Sequence, residues 1–351
     1  MAEKIKKITG MRLFMPIVCL LIVLLVNVIR TPDFFNITLK DGQLSGWLID
    51  VINRGSELVI LAIGMTLVTA ASGGQDISVG AVMAVAAAVC CQILSGGEVS
   101  TNTLAAPIII AAIAGIFVAA LCGVFNGFLV AKLNIQPMVA TLILFTAGRG
   151  IAQLVTQGQI TYVRVESYKA MGGFLGPIPT PVIFAVAAVV VAYLVLNKTA
   201  LGMYIESVGI NSHASRLIGL NSTRIKFLTY VICGALAGLA GIVASSRIYS
   251  ADANNIGLNL EMDAILAVAL GGNILSGGKF SLMGSVIGAY TIQALTTTLY
   301  AMSVPSDQLP VYKAIVVIII VVLQSPVYKK AMQNYKAKRQ SKKAVVQGGE
   351  Q

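Results

Sequence analysis

With 351 residues, 57% of them hydrophobic and only 11% charged, the chain lacks the polar surface that a water-soluble protein of this length needs, and its class is a polytopic membrane protein. The formal net charge of +11 does not point to nucleic acid, because the basic residues gather beside apolar runs: Lys4, Lys6, Lys7 and Arg12 before the first, and seven between Lys329 and Lys343 after the last. Flanks of this kind meet lipid headgroups on the cytosolic face.

In chain order, apolar runs predict spans near 13–29, 58–71, 79–94, 106–131, 138–156, 178–196, 227–246, 264–272, 282–302 and 311–324. The expectation is therefore an all-α membrane domain over residues 13–324 with about ten transmembrane helices, a cytosolic N-terminus at 1–12 and a basic cytosolic tail at 325–351. The first run is long for a signal-peptide core and has no small-residue cleavage site before Arg30, so it is read as a retained span. With both termini inside, the cytosolic segments hold 17 of the 25 basic residues, as the positive-inside rule requires. The opposite side then takes most of the acids, Asp41, Asp50, Glu57, Glu261 and Asp263 among them.

Two of these runs are short. As helices, 58–71 would rise about 21 Å and 264–272 about 14 Å, against an apolar thickness of about 30 Å. Each leads into a matched stretch, SGGQDISVGAV at 72–82 and SGGKFSLMGSV at 276–286, with Ser-Gly-Gly, five residues, then Gly, Ala or Ser, and Val. The match predicts an internal repeat with glycine-broken helices. A break at membrane depth must be buried in protein or line a wet cavity; the plainer alternative is a cytosolic turn in which Asp76 or Ser78 caps the following helix.

Polar residues inside the runs include Asn126, Arg149, Asn273 and Thr296 to Thr298. An arginine at mid-depth costs about 2.5–3.5 kcal/mol on insertion scales, so Arg149 needs a partner or an interface, and a snorkelling side chain is its simpler reading. Asn126 and the threonines read as interhelical glue. The five cysteines all fall in apolar runs and read as packing residues. In GALAGLAG, 234–241, Gly234, Gly238 and Gly241 share one helix face suited to close packing.

The segment 199–226, TALGMYIESVGINSHASRLIGLNSTRIK, is the one sizeable polar stretch on the expected cytosolic side. Ser212 reads as the cap of a short helix from His213 to Ile218, stopped by Gly219. The loop that carries it spans 197–226 and forms a knob suited to being gripped from outside. Its pattern of Thr199, Gly202, Gly209, Asn211, Ala214, Arg216 and Gly219 resembles the coupling loop of ABC-type simple-sugar importer permeases, the family of ribose, arabinose, xylose and galactoside permeases. GMTLVTAASGGQDISVGAVMAV at 64–85 and EMDAILAVALGGNILSGGKFSLMGSVIGA at 261–289 resemble that family's two glycine-rich signatures. DGQLSGWLIDVINR at 41–54, QPMVATLILFTAGRGIAQLVTQGQI at 136–160 and ADANNIGL at 251–258 are similar to its galactofuranose-type subgroup. Gln75, Asn273 and Lys279 depart from the usual pattern.

The resemblance implies a permease subunit in a bacterial cell membrane, with three kinds of partner: a cytosolic ATPase that binds ATP and magnesium, a second permease, and an extracytoplasmic sugar-binding protein. No cofactor is expected in this chain and no enzymatic activity of its own. Coupling to the ATPase is expected from Glu206, Gly209, Asn211, Ala214, Arg216 and Gly219. The translocation path is expected at Gly73, Gly74, Asp76, Ser78, Gly80, Asn126, Gly272, Asn273, Ser276 and Gly277. The stretch NILSGGKF at 273–280 is no phosphate loop, since Asn273 stands where the first Gly belongs and Phe280 where Ser or Thr must hold magnesium. The main rival is an ion-coupled secondary transporter of a small polar solute, in which Asp76 would be the coupling residue. An intramembrane protease is disfavoured because neither a facing aspartate pair nor a Ser–His pair falls within spans.

Overall fold

The computed structural model describes residues 13–40 and 42–324; Asp41, the expected cytosolic N-terminus 1–12 and the basic tail 325–351 lie outside the described residues. Each of the ten apolar runs contains a helix. These are α1 (Phe14–Arg30), α2 (Trp47–Ser72), α3 (Val79–Ser95), α4 (Ile108–Gly127), α5 (Pro137–Val155) and α6 (Thr180–Lys198), then α9 (Ser222–Arg247), α10 (Leu260–Leu270), α11 (Leu282–Ala301) and α12 (Leu309–Gln324). Between α6 and α9 come two more, α7 (Leu201–Ile210) and α8 (Ser212–Leu217). Residues through Met302 form one compact unit; α12 belongs to a second that begins at Ser303. Among the described residues, five helices are long and apolar enough to cross a membrane alone: α2, α4 with its π-helical extension to Lys132, α5, α6 and α9.

The span expected at 58–71 is the inner part of α2, whose 26 residues rise about 39 Å. The first run is therefore not truncated. Hydropathy missed eleven residues because Asp50, Asn53, Arg54 and Glu57 interrupt it, and the helix carries them by burying the carboxylate of Glu57 against Arg247 at the end of α9. Glu57 and Glu261, expected at an outer surface, are 7% and 1% exposed. By contrast, α10 has only 11 residues, about 16 Å, as its short run predicts.

α2 is the axis of the first unit. Nearly every residue from Gly55 to Ala71 is buried, and α2 packs against α6, α7, α9, α10 and α11. α9 in turn packs against α3 and α4, where the glycine face of GALAGLAG serves as expected. A methyl on Gly234 would sit 2.5 Å from the Ala119 carbonyl oxygen, and one on Gly238 2.6 Å from the Ala119 Cβ. α1 is tied on by Asn27, whose Nδ2 donates to Thr298 Oγ1 on α11 at 2.7 Å, so one of the expected glue threonines has its partner.

At the end of α2 nearest Trp47, three loops join in a small sheet. Its strands are Ser100–Thr101, Thr161–Val163 and Ser250–Ala251, the first pair parallel and the second antiparallel. The loop before α6 is anchored by fully buried Tyr168, whose hydroxyl lies 2.6 Å from Ser245 Oγ and 3.4 Å from Cys91 Sγ.

Packing this close tolerates no added volume. Gly241→Val, on the α9 face that meets Met83, should cost at least about 1–3 kcal/mol through overpacking and lower both the yield and the thermal midpoint in mild detergent. Gly150→Val, where nothing lies within 4 Å, should leave both near wild type in the same assay.

Candidate translocation and coupling elements

α2 ends at Ser72 because Gly73 adopts a left-handed φ of 69°, with its N–H returning to Thr69 O. The chain then turns into α3 through Asp76, which is 2% exposed. Its Oδ1 accepts from Ser78 N at 2.9 Å and from Ser78 Oγ at 2.6 Å. Asn126 on α4 donates to Ser78 Oγ at 2.8 Å, and the Ile77 N–H donates to Thr141 Oγ1 on α5. Of the two capping candidates, Asp76 holds the start of α3, as a carboxylate ahead of a helix N-terminus should; Ser78 makes no cap bond. Gly74 packs on Pro137, and Gly80 faces the Gly257 carbonyl and the Glu261 carboxylate, where a side chain would collide.

The second break follows α10. Gly272 has φ 77°, and Gly277 and Gly278 each have φ 95°, values that favour glycine. Asn273, one of the departures from the family pattern, holds this loop together. Its Nδ2 donates to Val268 O at 3.0 Å and Ser285 Oγ at 2.8 Å, while its Oδ1 accepts from Ser281 N at 2.5 Å. Ser285 Oγ lies 2.6 Å from Thr66 Oγ1, so the network ends on α2.

The two breaks touch each other. The Gly278 N–H donates to Ala70 O at 2.9 Å, and Gln75 Nε2 to Leu275 O at 3.3 Å. A Cβ on Gly73 would lie 2.8 Å from Ser276 O, and one on Gly277 would lie 3.0 Å from the Gly73 Cα. Gly209, on α7, closes this junction: any side chain there would overlap Ala70 O and fall 2.5 Å from Gly278 N. Residues expected separately in the path and in the coupling loop thus share one backbone contact. Gly73, Gly272 and Ser276 are exposed, whereas Asp76, Ser78 and Asn126 are buried.

The loop 197–226, expected from the sequence to couple, holds two helices where the sequence suggested one. Asn211, not Ser212, caps α8: its Oδ1 accepts from both His213 N and Ala214 N at 3.0 Å. Ser212 is the first helical residue. Gly219, at φ 86°, follows the end of α8. Arg216 is exposed with its Nε fixed on Ser222 Oγ at 2.7 Å, and Ala214 is exposed beside it. Glu206 lines a cavity of about 390 Å³ with Asn197, Gly202 and Phe280. Two apolar residues that the sequence reading passed over stand out at the tip, Leu217 at 90% and Ile218 at 74% exposure.

Arg149 does not snorkel. It is half-buried, and its Nη1 donates to the carbonyls of Ala253 (2.9 Å) and Ile256 (2.5 Å), holding the turn before α10. Its helix neighbour Gln153 donates to Asn254 Oδ1 at 2.7 Å.

A buried axial helix, glycine-broken connections joined by backbone contact, and a capped helical knob define a multi-pass membrane permease. Residues 47–324 match the model of a family described as branched-chain amino acid transport system, permease component. The chain belongs to that family. It is 46% identical over 310 residues to the galactofuranose transporter permease protein of Escherichia coli strain K12, covering 88% of each chain. It is 39% identical over 342 residues to a fructose import permease protein of Bifidobacterium longum, covering 95% of this chain and 94% of that one. To the ribose import permease protein of Escherichia coli strain K12 it is 33% identical over 314 residues, or 88% and 92% of the two chains.

Removing the Asn273 side chain deletes three hydrogen bonds at about 1 kcal/mol each. Asn273→Ala should therefore lower stability by about 2–3 kcal/mol, read as a drop in the melting midpoint. Gly209→Val should leave the chain inserted, assayed by carbonate extraction, but cut transport at least tenfold by prising α7 off Ala70 and Gly278.

Proposed function

We propose that this chain is the transmembrane permease subunit of an ATP-driven importer for a monosaccharide, galactofuranose or a galactose-like or pentose sugar. The observation that carries the reading is the knob α7–α8, rigidly capped, bare at its tip and seated by Gly209 on both glycine-rich signatures. The similarity to the sugar permeases over nearly the whole chain supports it. A partner ATPase, holding ATP and magnesium, grips α8. A second permease chain completes the path, and an extracytoplasmic binding protein delivers the sugar. Both termini lie in the cytosol of a bacterial cell, and the end of the bundle carrying Arg247 faces outward.

The coupling role rests on Glu206, Gly209, Asn211, Ala214, Arg216 and Gly219 as expected, with Leu217 and Ile218 added. The last two present apolar surface that water does not favour, and Asn211 and Gly219 fix the direction in which they point. A push on α8 reaches Ala70 and Gly278 through Gly209 with no intervening side chain to absorb it. The path residues Gly73, Gly74, Asp76, Ser78, Gly80, Asn126, Gly272, Asn273, Ser276 and Gly277 lie around the two breaks, and displacement of those breaks opens or closes the route. We read the breaks as the corresponding parts of an internal repeat, since Gly73 and Gly277 are both left-handed at matched positions. Against an ion-coupled carrier, the Asp76 carboxylate is engaged by Ser78, which favours a structural role over proton or sodium exchange.

The test is purification of the tagged chain from native membranes with its stoichiometric partners. An ATPase with a phosphate-binding loop should copurify, and sugar uptake should follow ATP and ignore ionophores. Arg216→Glu and Leu217→Asp should each lower uptake at least tenfold without changing insertion, Leu217→Asp also releasing the ATPase. Uptake driven by a proton or sodium gradient from a chain that purifies alone would overturn the reading.

A further inference from the structure

We infer that a groove between α6 and α9, in the half of the bundle nearest the loop 197–226, holds one acyl chain of an anionic phospholipid. It rests on the reading above only for its side of the membrane: with that loop in the cytosol, the lipid belongs to the inner leaflet. α6 and α9 each pack along α2 and make at most a marginal contact with each other, so α2 floors the wedge between them. Ile63 and Leu67, both buried, form that floor. On the α6 wall, alanines at 187, 188 and 192 leave the space open, which amounts to about 480 Å³. Its mouth faces outward from the bundle, where Ala187 is exposed and Val191 is 60% exposed.

The wall decides what fits. Every lining side chain is Ala, Val, Leu, Ile or Phe. A water held there would lack the roughly two to four polar partners it needs, and the hydroxyls of a sugar would be buried unanswered. A helix from another chain is too thick, since one about 10 Å across and 18 Å long fills roughly 1,400 Å³. The α6 wall runs from Phe184 to Leu196, a rise of about 18 Å, against about 15 Å for half the apolar thickness of a bilayer. The groove is thus one leaflet tall and one chain wide.

Where the groove stops, positive charge begins. Leu196 and Leu201 both line it, and Lys198 lies on the short link between them. Lys198 follows Val195 by three residues, on the same face of α6. It is exposed, and among the described residues no carboxylate pairs with it. α9 starts at this end too, with Arg224 exposed in its first turn. A lysine stem lies along apolar surface while its ammonium reaches the headgroup level. A phosphate headgroup without a cation of its own answers that charge, whereas a choline headgroup would set a second cation beside it. Leu201 opens α7, so a seated chain also props the corner between α6 and α7.

The test is native mass spectrometry of the chain purified in mild detergent, with phosphatidylglycerol or phosphatidylcholine added. One phosphatidylglycerol should be retained about fivefold more readily than phosphatidylcholine, the preference that one lysine near an anionic surface provides. Lys198→Glu should abolish that preference. Ala187→Trp, at the mouth, should cut retention of both lipids at least fivefold, while Ile113→Trp, on the exposed face of α4, should change neither. Equal retention of the two lipids by the wild type, or retention indifferent to Ala187→Trp, would overturn the site. A photoreactive benzoyl-phenylalanine at Val191 should give a lipid adduct in native membranes; an adduct with a second permease chain would overturn it too. Copurification of an ATPase decides the importer reading and depends on none of these signals, so either idea can fail without the other.

Discussion

The structure depends on one constraint: inside a membrane, backbone that leaves a helix must find its hydrogen bonds in protein. At the junction of α2, α7 and the loop after α10 this is met by backbone meeting backbone, Gly278 N on Ala70 O, with glycines at 73, 209 and 277 removing the side chains that would hold the strands apart. Everything else at this end follows from it. α2 can stop and α3 restart because the first break has a neighbour to lean on. The second break stays rigid because Asn273 and Ser285 tie it to Thr66 on the same helix.

The same junction receives the loop proposed to couple, which is built as two helices. On that proposed reading a flexible loop would absorb a push from outside, whereas α7 and α8, with Asn211 closing one and capping the other, would transmit it. Coupling in proteins travels through such packed, rigid elements when they have two discrete arrangements. A contact made wholly of backbone is well suited to this, since it has no rotamers to soften it.

Much of this was legible in the sequence, and the reasons for success and failure are physical. A helix lies in each of the ten apolar runs, although α7, α8 and the first eleven residues of α2 fall outside them, and the two SGG stretches were recognisable as breaks because glycine is needed where φ is positive. The length of α2 was hidden because Glu57 is buried in an ion pair whose partner is 190 positions away, and no local window sees that. Asn211 and Ser212 are both good caps by type, and only the geometry of the Asn211 oxygen, placed to reach two N–H groups, decides between them. Arg149 read as a snorkelling side chain because its acceptors are carbonyls of a distant turn, which side-chain patterns do not encode. Leu217 and Ile218 look like core residues in sequence; their exposure is apparent only in the fold.

The separation of Glu57 from Arg247 has a consequence for how the chain is made. A ribosome adding about 5–20 residues per second needs roughly 10–40 s to pass from one to the other. Throughout that interval α2, the axis around which the other helices assemble, has been synthesised while the cation that neutralises its buried carboxylate has not. The Glu57–Arg247 pair that closes the end of the bundle can therefore form only after α9 has been made.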